Sequence, residues 1–122
     1  MKKNKPFLLA ARRNSFKYAF EGIASFFREE HNARIHLAAT IIVTGLSFIF
    51  SVTRMEAMAL ILVVGFVWVA ELFNTAIEKV MDFISAEKNE RIKLIKDLSA
   101  AAVLIATLIA VITGCLVFIP KL

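Results

Sequence analysis

Residues 57–84 read AMALILVVGFVWVAELFNTAIEKVMDFI. The opening run, 57–70, is uncharged and 14 residues long. A bilayer span takes about 20 apolar residues, so the helix has to continue into ELFNTAIEKVMD, residues 71–82. There Glu71, Asn74, Glu78 and Asp82 stand at offsets 0, 3, 7 and 11. At about 100° per residue these side chains fall within roughly 80° of one another on one helical face. Glu71 and Glu78 are separated by roughly 10 Å along the axis, too far to share one proton and suited to two separate tasks. Counting about 20 residues from Ala57 puts the far hydrocarbon edge near residue 76. Glu71 then lies just inside that edge and Glu78 just outside it. A carboxylate at membrane depth is costly and marks a functional site by default. The plainer alternative is a polar seam between packed helices, but three acids in one stripe make a poor seam unless cations join them.

The rest of the composition agrees with a membrane setting. Of 122 residues 59% are hydrophobic, and the mean hydropathy is +0.73. A soluble domain is nearer about 45–50% apolar, so we expect one all-α integral membrane domain over residues 1–122. The formal charge is +5, and seven of the 15 Lys and Arg (Lys2, Lys3, Lys5, Arg12, Arg13, Lys17, Arg28) fall in the first 30 residues. Beside this hydrophobicity, a basic N-terminus points to anionic lipid and a cytoplasmic location, not to nucleic acid. The lone Cys115 has no intrachain partner and reads as a small packing residue. The apolar run 7–11 is too short for a cleavable signal peptide.

Residues 7–31 read as an amphipathic helix lying at the membrane interface. Phe16, Ala19, Phe20, Ile23, Phe26 and Phe27 recur at helical spacing, with Asn14, Lys17, Glu21, Ser25 and Arg28 opposite. The same face also suits docking against the protein's own spans. Residues 29–36, EEHNARIH, form a polar knot before the first span. His31 and His36 read as interfacial or capping residues, because a zinc site needs about four ligands. Three spans follow, over residues 37–53, 56–84 and 98–119, with a polar loop 85–97 between the last two. The basic segments flank one side of the membrane, so the N-terminus is expected inside and the C-terminus outside. Ser99-Ala100-Ala101-Ala102 opens the third span with residues small enough for close helix packing.

The polar residues then gather at one depth: Glu30 after the surface helix, the acidic stripe on the second span, and Lys88, Lys96 and Asp97 beside it. Paired carboxylates with lysines nearby suit a hard divalent cation and a phosphate-bearing ligand, and Mg²⁺ prefers one or two carboxylates plus substrate phosphates. Phosphoryl transfer from ATP to a lipid hydroxyl arriving sideways from the bilayer fits that geometry. The four glycines are isolated, so there is neither a Walker loop nor a kinase-type Gly-rich loop.

On Glu71-Leu-Phe-Asn74-Thr75-Ala-Ile-Glu78 with Asp82, and on Lys96-Asp97 followed by Ser99-Ala-Ala-Ala-Val-Leu-Ile-Ala, the sequence resembles the prokaryotic diacylglycerol kinases. These small three-span lipid kinases include the undecaprenol kinases. Tyr18-Ala-Phe-Glu-Gly22 and Glu30, four residues before Arg34, add to the resemblance, which covers nearly the whole chain. It implies that Glu71 is the general base and Asn74 its catalytic companion, that Glu30 and Glu78 hold Mg²⁺, and that Tyr18, Glu30, Glu78, Glu87, Lys88, Asn89, Lys96 and Asp97 lie at the nucleotide. Phe16, Phe20 and Phe27 are the implied lipid contacts. The resemblance further implies a homotrimer with shared active sites in the bacterial inner membrane. The chain departs from the family at Ala19, where several relatives carry Ser, and in the loop 85–90. Diacylglycerol and undecaprenol both remain open as the alcohol, diacylglycerol being the first choice. The rival classes are a small multidrug-type transporter, which typically needs four spans with its acid in the first, and a membrane scaffold.

Overall fold

The computed structural model describes residues 8–122. Phe7 at the start of the expected surface helix, and the basic Lys2, Lys3 and Lys5, lie outside the described residues. Four α-helices account for nearly all of the rest: α1 Leu9–Glu29, α2 His31–Ile49, α3 Arg54–Ile84 and α4 Glu90–Phe118, closed by a 3₁₀ turn Ile119–Lys121. Among the described residues α2, α3 and α4 with its terminal turn are long and apolar enough to cross a membrane.

The helix boundaries correct the expected ones. The surface helix ends at Glu29, not residue 31, because Glu30 adopts an extended backbone (φ −106°, ψ 118°) that separates α1 from α2. The second helix begins at His31, ahead of residue 37, directly after the extended Glu30. It ends at Ile49 instead of residue 53: Ser51 turns the chain through the left-handed region (φ 50°), leaving Thr53 to start α3. Thr53 and Glu56 form a reciprocal capping box, with Thr53 Oγ1 accepting from the Glu56 N–H at 3.1 Å and Glu56 Oε1 from the Thr53 N–H at 2.9 Å. The second span therefore opens at Arg54, not residue 56. The last helix begins at Glu90, eight residues before the expected 98, because Asn89 Oδ1 accepts from the Arg91 and Ile92 N–H groups at 2.8 and 3.4 Å. Most of the expected loop 85–97 is helix. The α-helix stops at Phe118 instead of residue 119, and Pro120, lacking an N–H, sits in the 3₁₀ turn.

At about 1.5 Å per residue, α3 is roughly 46 Å long, well beyond a hydrocarbon core of about 30 Å. The most extensive pairing is α3 against α4. The last turn of α1 docks on Trp68 of α3: the Phe26 ring meets it edge-on at 6.2 Å and Phe27 at 5.5 Å. Lys79 Nζ donates to Glu29 Oε2 at 2.7 Å beside this contact. At the opposite end Phe50 packs on Phe118 at 6.1 Å, and Lys121 pairs with Glu56 at 3.1 Å.

Three hydroxyls of α2 are satisfied by the helix's own carbonyls, as suits a low-dielectric surround. Thr40, Thr44 and Ser47 donate to the carbonyls of His36, Thr40 and Val43 at 2.7, 2.7 and 2.8 Å. The buried apolar set is thin: Phe26, Ala33, Leu60, Val67, Ala106 and Val117. Most large side chains on α2, α3 and α4 face outward, the arrangement of helices whose solvent is hydrocarbon.

Candidate active site

Along the stripe on α3, Glu71, Asn74 and Asp82 are each bonded to a side chain of another helix, and Glu78 is not. Glu71 is buried, 4% exposed. His36 Nε2, from α2, lies 2.7 Å from its Oε1. As a carboxylate, Glu71 accepts this bond from the imidazole N–H. One turn further along, Asn74 Oδ1 accepts from Ser99 Oγ of α4 at 2.6 Å. That bond occupies the amide's acceptor and leaves its two N–H groups to point elsewhere. An interhelical hydrogen bond of this kind is worth about 1 kcal/mol in a membrane protein, so it ties α3 to α4 as well as orienting Asn74. Thr75 and Ser99 are buried beside them.

Glu78 is half-buried and takes no hydrogen bond or ion pair among the described residues. Glu30, half-buried in the break between α1 and α2, makes no side-chain cap bond. It lies within Coulombic reach of Lys79, the residue after Glu78, as does Asp82. The hydrogen bond from Lys79 and its positive charge hold the Glu29 carboxyl below the usual carboxylate range. No cluster of three or more His, Cys, Asp or Glu disposed to hold a metal exists among the described residues. Two carboxylates without hydrogen-bond partners, on elements brought together by the α1–α3 contact, fit a cation that completes its shell with phosphate oxygens and water. They do not fit one that needs a protein cage.

Beyond the end of α3, Glu87, Lys88, Asn89, Lys96 and Asp97 line a common hollow of about 500 Å³ together with Asp82. Two of its lysines are already engaged: Lys96 Nζ donates to Asp82 Oδ1 and Lys93 Nζ to Asp97 Oδ2, both at 2.6 Å. Asn89, expected at the nucleotide, also caps α4. Glu30, Glu71, Asn74 and Glu78 do not line this hollow, and neither does Tyr18, which is exposed on α1. Of the three expected lipid contacts, Phe16 and Phe20 are 69% and 68% exposed, whereas Phe27 packs on Trp68.

Sequence reasoning missed His36 and Ser99. His36 is not a cap: it stands in the second turn of α2, bonded to Glu71. Its signal was available, as the single ionisable side chain between Arg34 and Arg54. Ser99 was read for its size alone, and its hydroxyl serves Asn74.

Such a chain is a small helical membrane protein with a carboxylate–amide site toward one end of its helices. Its sequence matches the family model described as prokaryotic diacylglycerol kinase over residues 17–118. It is 37% identical over 108 residues to an undecaprenol kinase of Bacillus subtilis, spanning 88% of each chain. It is 34% identical to a diacylglycerol kinase of Synechocystis over 88% of this chain and 62% of that longer relative. With a diacylglycerol kinase of Escherichia coli it shares 33% identity over 81% of both chains. The chain belongs to the prokaryotic diacylglycerol kinase family.

Proposed function

We propose that this protein transfers the γ-phosphoryl group of ATP to the hydroxyl of a membrane lipid alcohol. The observation that carries the reading is the buried Glu71 side chain, bonded to His36, on the same helical face as a Glu78 that has no partner among the described residues. In the reaction the lipid hydroxyl loses its proton to Glu71, its oxygen bonds the γ-phosphorus, and the bridging bond to ADP breaks. Asn74, its acceptor engaged by Ser99, offers N–H groups to substrate oxygens. Glu30 and Glu78 are the residues to hold Mg²⁺, which when bound neutralises charge on the phosphates. The hollow lined by Glu87, Lys88 and Lys96 suits the nucleotide, and Tyr18 and Asp97 belong to the same nucleotide site by resemblance. With three candidate spans and family membership, the transporter and scaffold readings lose their basis.

Diacylglycerol, giving phosphatidic acid, is the substrate we favour, in keeping with the relatives from Synechocystis and Escherichia coli. The Bacillus subtilis relative favours undecaprenol as a second reading. Incubating the purified protein in mixed micelles with labelled ATP, Mg²⁺ and each alcohol in turn tests both. Label in phosphatidic acid supports the first and label in undecaprenyl phosphate the second. Transfer to neither refutes the lipid-kinase reading.

The exposed Phe16 and Phe20 support α1 lying at the membrane interface as an amphipathic helix. The thin core supports assembly with further copies of the chain, and the homotrimer with shared sites follows from the family resemblance. All 122 residues are read as one domain of the inner membrane, with the site on the cytoplasmic side. The distribution of Lys and Arg predicts an outside C-terminus. A C-terminal alkaline phosphatase fusion should therefore be active and a C-terminal green fluorescent protein fusion dark. The reverse pattern rules out this topology.

A further inference from the structure

Glu71 has one side-chain partner among the described residues, the imidazole Nε2 of His36 at 2.7 Å, and the bond reaches only Oε1. Every fully buried side-chain nitrogen or oxygen among the described residues is hydrogen-bonded. Oε2 has no hydrogen-bond partner among the described residues. The backbone of His36 and the ring beside its imidazole are linked through Thr40. The His36 carbonyl accepts from Thr40 Oγ1 at 2.7 Å, and Thr40 Oγ1 accepts from the Trp68 indole N–H at 2.9 Å. Trp68 meets the imidazole edge-on with ring centroids 6.2 Å apart. Since Trp68 also receives Phe26 and Phe27, the docking of α1 bears on the same ring.

We propose that His36 is the positioning residue for Glu71: its Nε2–H holds Oε1 and thereby presents Oε2 to the lipid hydroxyl. This rests on the reading of Glu71 as general base. A charge-assisted bond to one carboxylate oxygen restricts rotation of the long Glu side chain, and a base must be held within hydrogen-bond reach of the proton it takes. The hydroxyl proton ends on Oε2 as the lipid oxygen bonds phosphorus and ADP departs. His36 keeps its own proton throughout, so the role is geometric and needs a donor in one place, not a titrating group.

Three substitutions and one double mutant test this in the full-length protein. His36→Gln carries an amide N–H near the position of Nε2 and should retain kcat within about threefold. His36→Asn is too short to reach Oε1, and His36→Leu has no donor. Both should lower kcat on the order of 10- to 100-fold, the worth of a hydrogen bond to a charged group, with KM for ATP unchanged. In a Glu71→Gln background His36→Asn should cause no further loss, because the carboxylate it positions is gone. Equal kcat for the Gln and Asn variants, or full additivity with Glu71→Gln, overturns the role of His36 and leaves Glu71 as base untouched. Normal turnover by Glu71→Gln alone instead removes the base itself. If His36→Leu does not fold, the comparison of Gln with Asn, two polar amides, still decides.

Discussion

Glu71→Gln is expected to lower turnover by on the order of 10²- to 10⁴-fold, the usual contribution of a positioned base. Nucleotide affinity should hardly move. Glutamine keeps the volume of the side chain, and its carbonyl can still accept the N–H of His36 that now lies 2.7 Å from Oε1. What it cannot do is take a proton at the second position. A purely structural Glu71 predicts the opposite pattern. Removing a charge from a site only 4% exposed would then leave turnover intact and could raise stability, since buried ionic pairs are weak sources of stability. Turnover and ATP affinity measured on the same folded sample separate the two. Near-normal turnover sinks the assignment of Glu71 as base, whatever family the chain belongs to.

The second large effect is expected at Glu78. Its carboxylate has no bond to lose among the described residues, so Glu78→Gln should leave folding and the α3–α4 contact alone. Activity should fall by on the order of 100-fold or more, since a metal at a transferring phosphoryl group contributes several kcal/mol. Added Mg²⁺ should not restore it. Glu30→Gln, altering a ligand on the other element, should raise the Mg²⁺ concentration needed for half-maximal rate. A titration of rate against Mg²⁺ for both variants is the measurement. Wild-type metal dependence in both removes the pair from the site. A loss in Glu78→Gln that high Mg²⁺ fully rescues would make Glu78 a contributor to affinity alone.

These two outcomes bear on a division of labour that is periodic in origin. Glu71, Asn74, Glu78 and Asp82 share a face because a helix repeats about every 3.6 residues. No folding partner is needed to bring them into line. Their depth follows from counting apolar residues, and the three candidate spans follow from the same count. The acidic stripe and the apolar run before it were therefore legible from residues 57–84 alone. The identity of the family was equally legible, because Glu71, Asn74, Glu78, Lys96 and Asp97 are local motifs.

Helix boundaries were less legible, for a physical reason. Hydropathy reports where a chain leaves hydrocarbon, whereas a helix ends where its terminal N–H and C=O groups find other partners. The polar residues 90–97 remain helical because Asn89 caps them and Lys93 pairs with Asp97 one turn on at 2.6 Å. The first span stops early because Ser51 and the Thr53–Glu56 box turn the chain.

Only the tertiary structure decided which side chains the acids meet. His36 reaches Glu71 across 35 residues of sequence, Ser99 reaches Asn74 across 25, and Lys96 reaches Asp82 across 14. Each contact joins two helices whose own periodicities say nothing about their mutual rotation. That rotation is set by packing, with Phe26 and Phe27 against Trp68 and α3 laid along α4. The sequence by itself therefore determined a helical chain with three helices apolar enough to span a membrane and a carboxylate stripe on one of them. The packing decided that Glu71 has one oxygen bonded to an imidazole and the other without a partner among the described residues, because that depends on how α2 sits against α3.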